Sequence, residues 1–110
     1  MGSSGCFELI VVQPGRLLGF VGRLDVAAAA DARIALAAAV DQGEGDLMVD
    51  LAGLDGIDAT GLGVLVGAHR RAGRAGRSLV LRDVSPAVAR VLLVTRLERV
   101  LQQSRSRLSA

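Results

Sequence analysis

The stretch Leu47-Met48-Val49-Asp50-Leu51, with Leu54-Asp55-Gly56-Ile57-Asp58-Ala59-Thr60-Gly61 and Leu62–Arg74 after it, decides the fold. Leu47–Leu51 is an apolar run bounded by Asp46 and by Ala52-Gly53, which reads as a buried strand. Leu62, Leu65, Val66 and His69 recur at helical spacing, so Leu62–Arg74 reads as a helix. The residues between read as a loop, with Asp58 in place to cap the helix.

Downstream, Gly73 and Gly76 are stop candidates for that helix. Ser78–Arg82 reads as a strand. Ser85-Pro86 is a strong helix start, Ser as N-cap and Pro at the first helical position. Val88, Val91, Leu92 and Thr95 form the expected inner face of that helix. Val100-Leu101 reads as a last short strand, and Gln102–Ala110 as a polar, mobile tail.

Upstream, Asp25 reads as the N-cap of a helix over Val26–Gln42. Ala29, Ala32, Leu36, Ala39 and Val40 share one face, with Ile34 off it, and Gly43-Glu44-Gly45 ends the helix. Phe7–Val12 and Leu17–Leu24 flank Gln13-Pro14-Gly15-Arg16, a turn sequence, and read as an antiparallel hairpin. Gly19 and Gly22 mark a bulge or a close backbone approach in the second strand. The order is β-β-α-β-α-β-α with a final β, which predicts an α/β fold. After the hairpin, alternation implies parallel pairing with right-handed crossovers, hence a mixed sheet.

The chain's 110 residues suit one domain. The domain is expected over residues 6–104, with 1–5 an N-terminal extension or tag remnant and 105–110 a polar tail. The composition is 51% hydrophobic and 2% aromatic, with no Lys, Trp or Tyr. The core is therefore aliphatic. Without Lys there is no Walker-type phosphate loop and no Schiff-base chemistry. One Cys (Cys6) and one His (His69) cannot by themselves fill a zinc site. Cys6 reads as a free thiol, which fits a reducing, cytoplasmic location. No run of ~18 uncharged apolar residues predicts a membrane span.

Charge is uneven. Residues 1–68 carry three Arg against nine acids, and residues 69–110 carry ten Arg against two acids. Such asymmetry suggests a charged partner surface, and a solvated face explains it more simply. The cluster His69-Arg70-Arg71-Ala72-Gly73-Arg74-Ala75-Gly76-Arg77 offers a phosphate contact surface; Arg in a last helical turn also complements the helix dipole, which does not favour a nucleic-acid partner. Asp50, Asp55 and Asp58 invite Mg²⁺ on composition alone, with no phosphate-binding Lys beside them. Gly61–Gly67 fails the dinucleotide fingerprint, because Val66 stands where a third glycine is needed. Gly63 and Gly67 are expected to let the helix approach something closely, inside the fold or on a partner. No nucleophile–base pair is visible, so no enzyme activity, catalytic residue, metal or cofactor is expected.

Asp58-Ala59-Thr60-Gly61 lies at a helix N-terminus, where backbone N–H groups and the dipole favour negative charge. A phosphate there would be tolerated by its own helix and would repel an incoming partner by its ~1.5–2 added negative charges.

Gly22-Arg23-Leu24-Asp25, Leu47–Leu51, Gly56–Leu65 and Val84-Ser85-Pro86-Ala87-Val88 occur in this order, and together the chain resembles the STAS domain, within it the bacterial anti-sigma factor antagonists. The resemblance covers about Phe7 to Ser104. It implies a mixed sheet with helices packed mainly on one face. It also implies binding to an anti-sigma factor with a kinase-type ATPase fold, which frees a sigma factor for transcription. In that family the residue after the loop Asp is usually a Ser that the partner phosphorylates. Here that position is Ala59, which has no hydroxyl, so the usual switch cannot operate there. Thr60 is then the alternative acceptor. The resemblance puts partner binding on Asp25, Asp58, Ala59, Thr60, Gly61, Leu62, Gly63 and Val64. The other reading is a non-switching STAS subunit of a larger assembly, such as one for lipid transport. Arg96 stands where the family often has Gly after the third helix, which implies a different ending or mild strain there.

Overall fold

The computed structural model describes residues 7–104. The expected N-terminal extension, Cys6 and the tail over 105–110 lie outside the described residues. The elements are β1 (Phe7–Gln13), β2 (Leu17–Leu24), α1 (Ala29–Gln42), β3 (Asp46–Ile57), α2 (Ala59–Arg74), β4 (Ser78–Arg82), α3 (Pro86–Thr95), a 3₁₀ turn at Leu97–Arg99 and β5 (Gln102–Ser104).

The five strands form one sheet in chain order. β1 and β2 are antiparallel, and the pairs β2–β3, β3–β4 and β4–β5 are parallel. From β2 onward the sheet grows in one direction. Right-handed crossovers made while moving in one direction all land on one face. The helices and the sheet accordingly share one core of buried residues, with Phe20, Leu24, Leu47, Val49, Leu51, Leu79 and Leu81 beneath Leu36, Leu65 and Leu92. Strand alternation sets the other face: Met48 and Asp50 are half-exposed there, and Val80 is buried outside the shared core.

Several boundaries differ from the sequence reading. β3 runs to Ile57, so most of the expected loop is strand. Leu54 and Ile57 are buried, and each pairs with β2, Leu54 with Gly22 and Ile57 with Leu24. Shifts in this register at Gly19/Val21 and Gly22/Arg23 let the strand continue past the break that Gly53 suggested. α1 starts at Ala29 rather than Val26, because Asp25 Oδ1 accepts from Ala27 and Ala28 N–H (3.0 and 3.3 Å) and closes a turn before the helix. Its expected buried face is the observed one. α2 starts at Ala59, so Thr60 and Gly61 are helical. Its buried set is Gly61, Leu62, Val64, Leu65, Ala68 and Ala72, with Val66 and His69 only half-buried, a face rotated from the expected one. Gly73 lies inside α2. Gly76 at φ +74° ends it in a Schellman arrangement, Arg77 N–H to Ala72 O and Gly76 N–H to Gly73 O. The last strand is Gln102–Ser104, inside the expected tail; Val100-Leu101 precedes it, with Leu101 in the core. Of α3's expected inner face, Val88 and Leu92 are buried, and Thr95 is exposed with its hydroxyl donating to Val91 O at 2.7 Å.

Among the described residues, no helix is long and apolar enough to cross a membrane.

Candidate functional site

The carboxyl ends of the parallel strands lie at one edge of the sheet, and β2 and β3 deliver Asp25 and Asp58 there side by side. Asp58 N–H donates to Leu24 O at 3.3 Å, joining the two strand ends. Asp58 is the N-cap of α2. Its backbone is extended at φ −111°, ψ −175°, and Oδ1 accepts from Gly61 N–H at 2.9 Å. One of the helix's orphan donors is thereby satisfied. Asp25 Oδ2 sits 3.6 Å from Arg23 Nε in an exposed pair.

Gly61 fixes how close α2 can come. A side chain there would run into the main-chain carbonyl of Leu24 and, at 2.8 Å, Ile57 Cγ1. A carbonyl in a paired strand cannot move aside, so only glycine fits. The glycines expected to allow close approach do not do so within the fold: a Cβ on Gly63 or Gly67 would meet open space. Both are exposed.

The eight residues assigned to the site therefore divide by depth. Ala59 and Gly63 are exposed; Asp25, Asp58 and Thr60 are half-buried; Gly61, Leu62 and Val64 are buried, Leu62 at 7% exposure. Leu62 and Val64 anchor α2 from beneath, and Asp25, Ala59, Thr60 and Gly63 make the reachable surface. Ala59 is the first helical residue, beside the cap, with only a methyl group to present.

The three loop carboxylates do not gather. Asp50 lies within β3, its Oδ1 accepting from Ala52 N–H at 2.9 Å; Asp55 is an exposed strand residue; Asp58 caps α2. Among the described residues no group of three His, Cys, Asp or Glu is placed to hold a metal ion.

The Arg cluster also disperses. Arg71 and Arg74 occupy the last turn of α2, and Arg71 Nη2 lies 3.0 Å from Asp41 Oδ2. Arg77 is 6% exposed. Its Nη1 donates to Ala39 O and Val40 O (2.8 and 2.9 Å), its Nε to Gly45 O (2.9 Å), and its Nη2 to Gly15 O. This guanidinium caps the carboxyl end of α1 and ties it to the β1–β2 turn and the start of β4. The partners are main-chain carbonyls 32 to 62 positions away, so no local pattern announces them.

The family described as Mlab, STAS domain, matches residues 17–103. The chain belongs to the STAS domain family. Among solved structures, an anti-sigma factor antagonist from Mycobacterium paratuberculosis superposes with a TM-score of 0.75 at 21% identity, covering 94% of this chain and 89% of that one. The anti-sigma factor antagonist SpoIIAA is similar in its unphosphorylated form (TM-score 0.68, 21% identity, 90% and 88% covered). The Bacillus cell fate determinant SpoIIAA in its phosphorylated form is similar too (0.62, 22%, 90% and 91%). No curated protein sequence matches the chain.

Proposed function

We propose that this protein is an anti-sigma factor antagonist: it binds an anti-sigma factor of kinase-type ATPase fold and so releases a sigma factor, by association and without catalysis. One observation carries the reading. The Asp58-capped start of α2, held against β2 by Gly61, presents a rigid surface of Asp25, Ala59, Thr60 and Gly63. The structural relatives are anti-sigma factor antagonists, and one of them occurs in a phosphorylated form.

Ala59 makes the binding constitutive, since the usual acceptor hydroxyl is missing. Thr60, in the first turn of the same helix, is the hydroxyl left for a kinase. The work of this surface is done in the cytoplasm.

The test is titration of the purified protein against the ATPase-type anti-sigma proteins of its host. Saturable binding that is lost in Gly63→Arg, with the fold retained by circular dichroism, is expected. Leu62→Arg is unsuitable, because Leu62 lies in the core. Binding to none of them overturns the proposal. After incubation with the partner and ATP, phosphate mapped to Thr60 by mass spectrometry would replace the constitutive reading with a displaced switch. The second reading, a non-switching STAS subunit of a larger assembly such as one for lipid transport, is favoured by the missing hydroxyl at 59. A sequence neighbourhood of transport genes, with no sigma or anti-sigma gene, would select it.

A further inference from the structure

α3 carries a face that the proposed function leaves unused. Of its ten residues only Arg90 and Thr95 are polar. A helix apolar on all sides is normally covered on all sides. Here only one side is buried, through Val88 and Leu92. Leu93 and Val94 point outward at 65% and 76% exposure, and Val100, after the 3₁₀ turn, is 44% exposed. Arg90 lies one turn before Leu93 and Val94 on the same outer face. Arg96 and Arg99 follow. All three Arg are exposed, and none is in an ion pair among the described residues. Glu98 is the one acid from Val84 to Leu101, and it is half-buried with Oε1 inside the fold. The corner is therefore apolar and cationic, with no exposed carboxylate residue beside it.

The polar groups at the end of α3 are satisfied from within. Arg96 N–H donates to Leu92 and Leu93 O, and Val100 and Leu101 N–H donate to Leu97 O. The Thr95 hydroxyl donates to Val91 O and Leu92 O (2.7 and 3.3 Å). Groups bonded in this way can leave water without losing a partner. Leu93 and Val94 also stand on the convex side of a helix. A protein partner would need a matching hollow there, whereas acyl chains adapt to any shape.

We propose that this face docks on an anionic lipid surface, with Leu93, Val94 and Val100 in the acyl boundary and Arg90, Arg96 and Arg99 on lipid phosphates. An Arg stem lies along apolar surface while its head stays in the polar layer, and the guanidinium fork matches phosphate oxygens. Buried apolar area and attraction to anionic lipid together set the strength of such binding. Three side chains and three charges give a reversible, salt-dependent association. α3 leaves the carboxyl end of β4 and must return to the amino end of the sheet to enter parallel β5. Its last turn therefore lies at the sheet edge opposite the start of α2. A membrane bound there leaves Ala59, Thr60 and Gly63 uncovered, and the proposal does not depend on which partner they bind.

The test is cosedimentation of the purified chain with phosphatidylcholine vesicles, with and without about 30% phosphatidylglycerol, at about 0.1 M salt. Association with the anionic vesicles is expected, at least ~tenfold weaker on pure phosphatidylcholine and at ~0.5 M salt. Leu93→Glu should weaken it ~tenfold or more. Ile34→Glu makes the same charge change at a similarly exposed apolar residue of α1 and should not weaken it in this way. The chain has no Trp, so Leu93→Trp supplies a single reporter that keeps the face apolar. Its emission should shift to the blue with anionic vesicles, and that of Ile34→Trp should not. No association with the anionic vesicles would overturn the proposal and leave this face to an acidic protein. Association unchanged in folded Leu93→Glu or at high salt, or an unshifted Leu93→Trp, would also overturn it.

Discussion

Removing the Arg77 guanidinium would leave the carbonyls of Ala39, Val40 and Gly15 without this donor in a buried junction, and that of Gly45 without it at the junction's more open side. Arg77→Met should therefore cost about 2–3 kcal/mol, read from the urea midpoint. Arg77→Lys should recover little of it, because one ammonium cannot serve carbonyls spread around a planar fork. A variant within about 0.5 kcal/mol of wild type, the usual range for surface changes, would deny Arg77 this role. Arg96 shows the opposite situation, a residue in a place that suits another. It ends α3 at φ 63°, ψ 19°, its N–H donating toward Leu92 and Leu93 carbonyls. The resemblance implied either a different ending or mild strain here; α3 ends in the left-handed conformation, where a side chain crowds the following carbonyl. Arg96→Gly should stabilise the fold by about 0.5–1 kcal/mol after the greater chain entropy of glycine is offset. The thermal midpoint should rise by a few degrees; an unchanged or lower midpoint would show that the Arg96 side chain compensates.

At the scale of elements, the docking of α2 on β2 and β3 governs the candidate site. Gly61→Ala should push the first turn of α2 off the Leu24 carbonyl and cost about 1–3 kcal/mol. It should also weaken partner binding more than Gly63→Ala does, because position 63 has free space around it. Equal and small effects of the two substitutions would separate Gly61 from the site. The local signals here were only partly readable. Asp58 as a cap and the Ser85-Pro86 start of α3 follow from side-chain chemistry within three residues, and both are as expected: Ser85 Oγ accepts from Val88 N–H at 3.4 Å and donates to Leu54 O. The strand from Ala52 to Ile57 was not readable. Gly53, Asp55 and Gly56 argue for a loop by composition, and pairing with β2 outweighs them through hydrogen bonds made far away in sequence. Asp25 departs from expectation by a local route: its carboxylate accepts from Ala27 and Ala28 N–H and closes a turn before α1 without itself beginning the helix.

At the scale of the whole molecule, the folded chain takes up part of the positive charge that the sequence concentrates in residues 69–110. Arg77 is buried, Arg71 pairs with Asp41, and Arg82 lies 3.5 Å from Asp83. These three of the described arginines are thereby engaged within the fold. Duplex DNA should show no saturable binding by fluorescence polarisation at ~150 mM salt, where non-specific binders already fall to Kd above ~1 μM. Submicromolar binding with a steep salt dependence would reverse this. The sequence by itself determined the order of elements, the aliphatic core, the buried face of α1, the two helix caps and the lack of a hydroxyl at position 59. These depend on residue type and on spacing within one or two turns. Only the tertiary structure decided that β3 extends to Ile57, that Gly61 rather than Gly63 or Gly67 is the point of close approach, that Leu62 and Val64 lie beneath the surface, and that Arg77 is an internal cap. Each of these depends on main-chain groups brought together from distant segments, and main-chain carbonyls and N–H groups are the same at every position of a sequence.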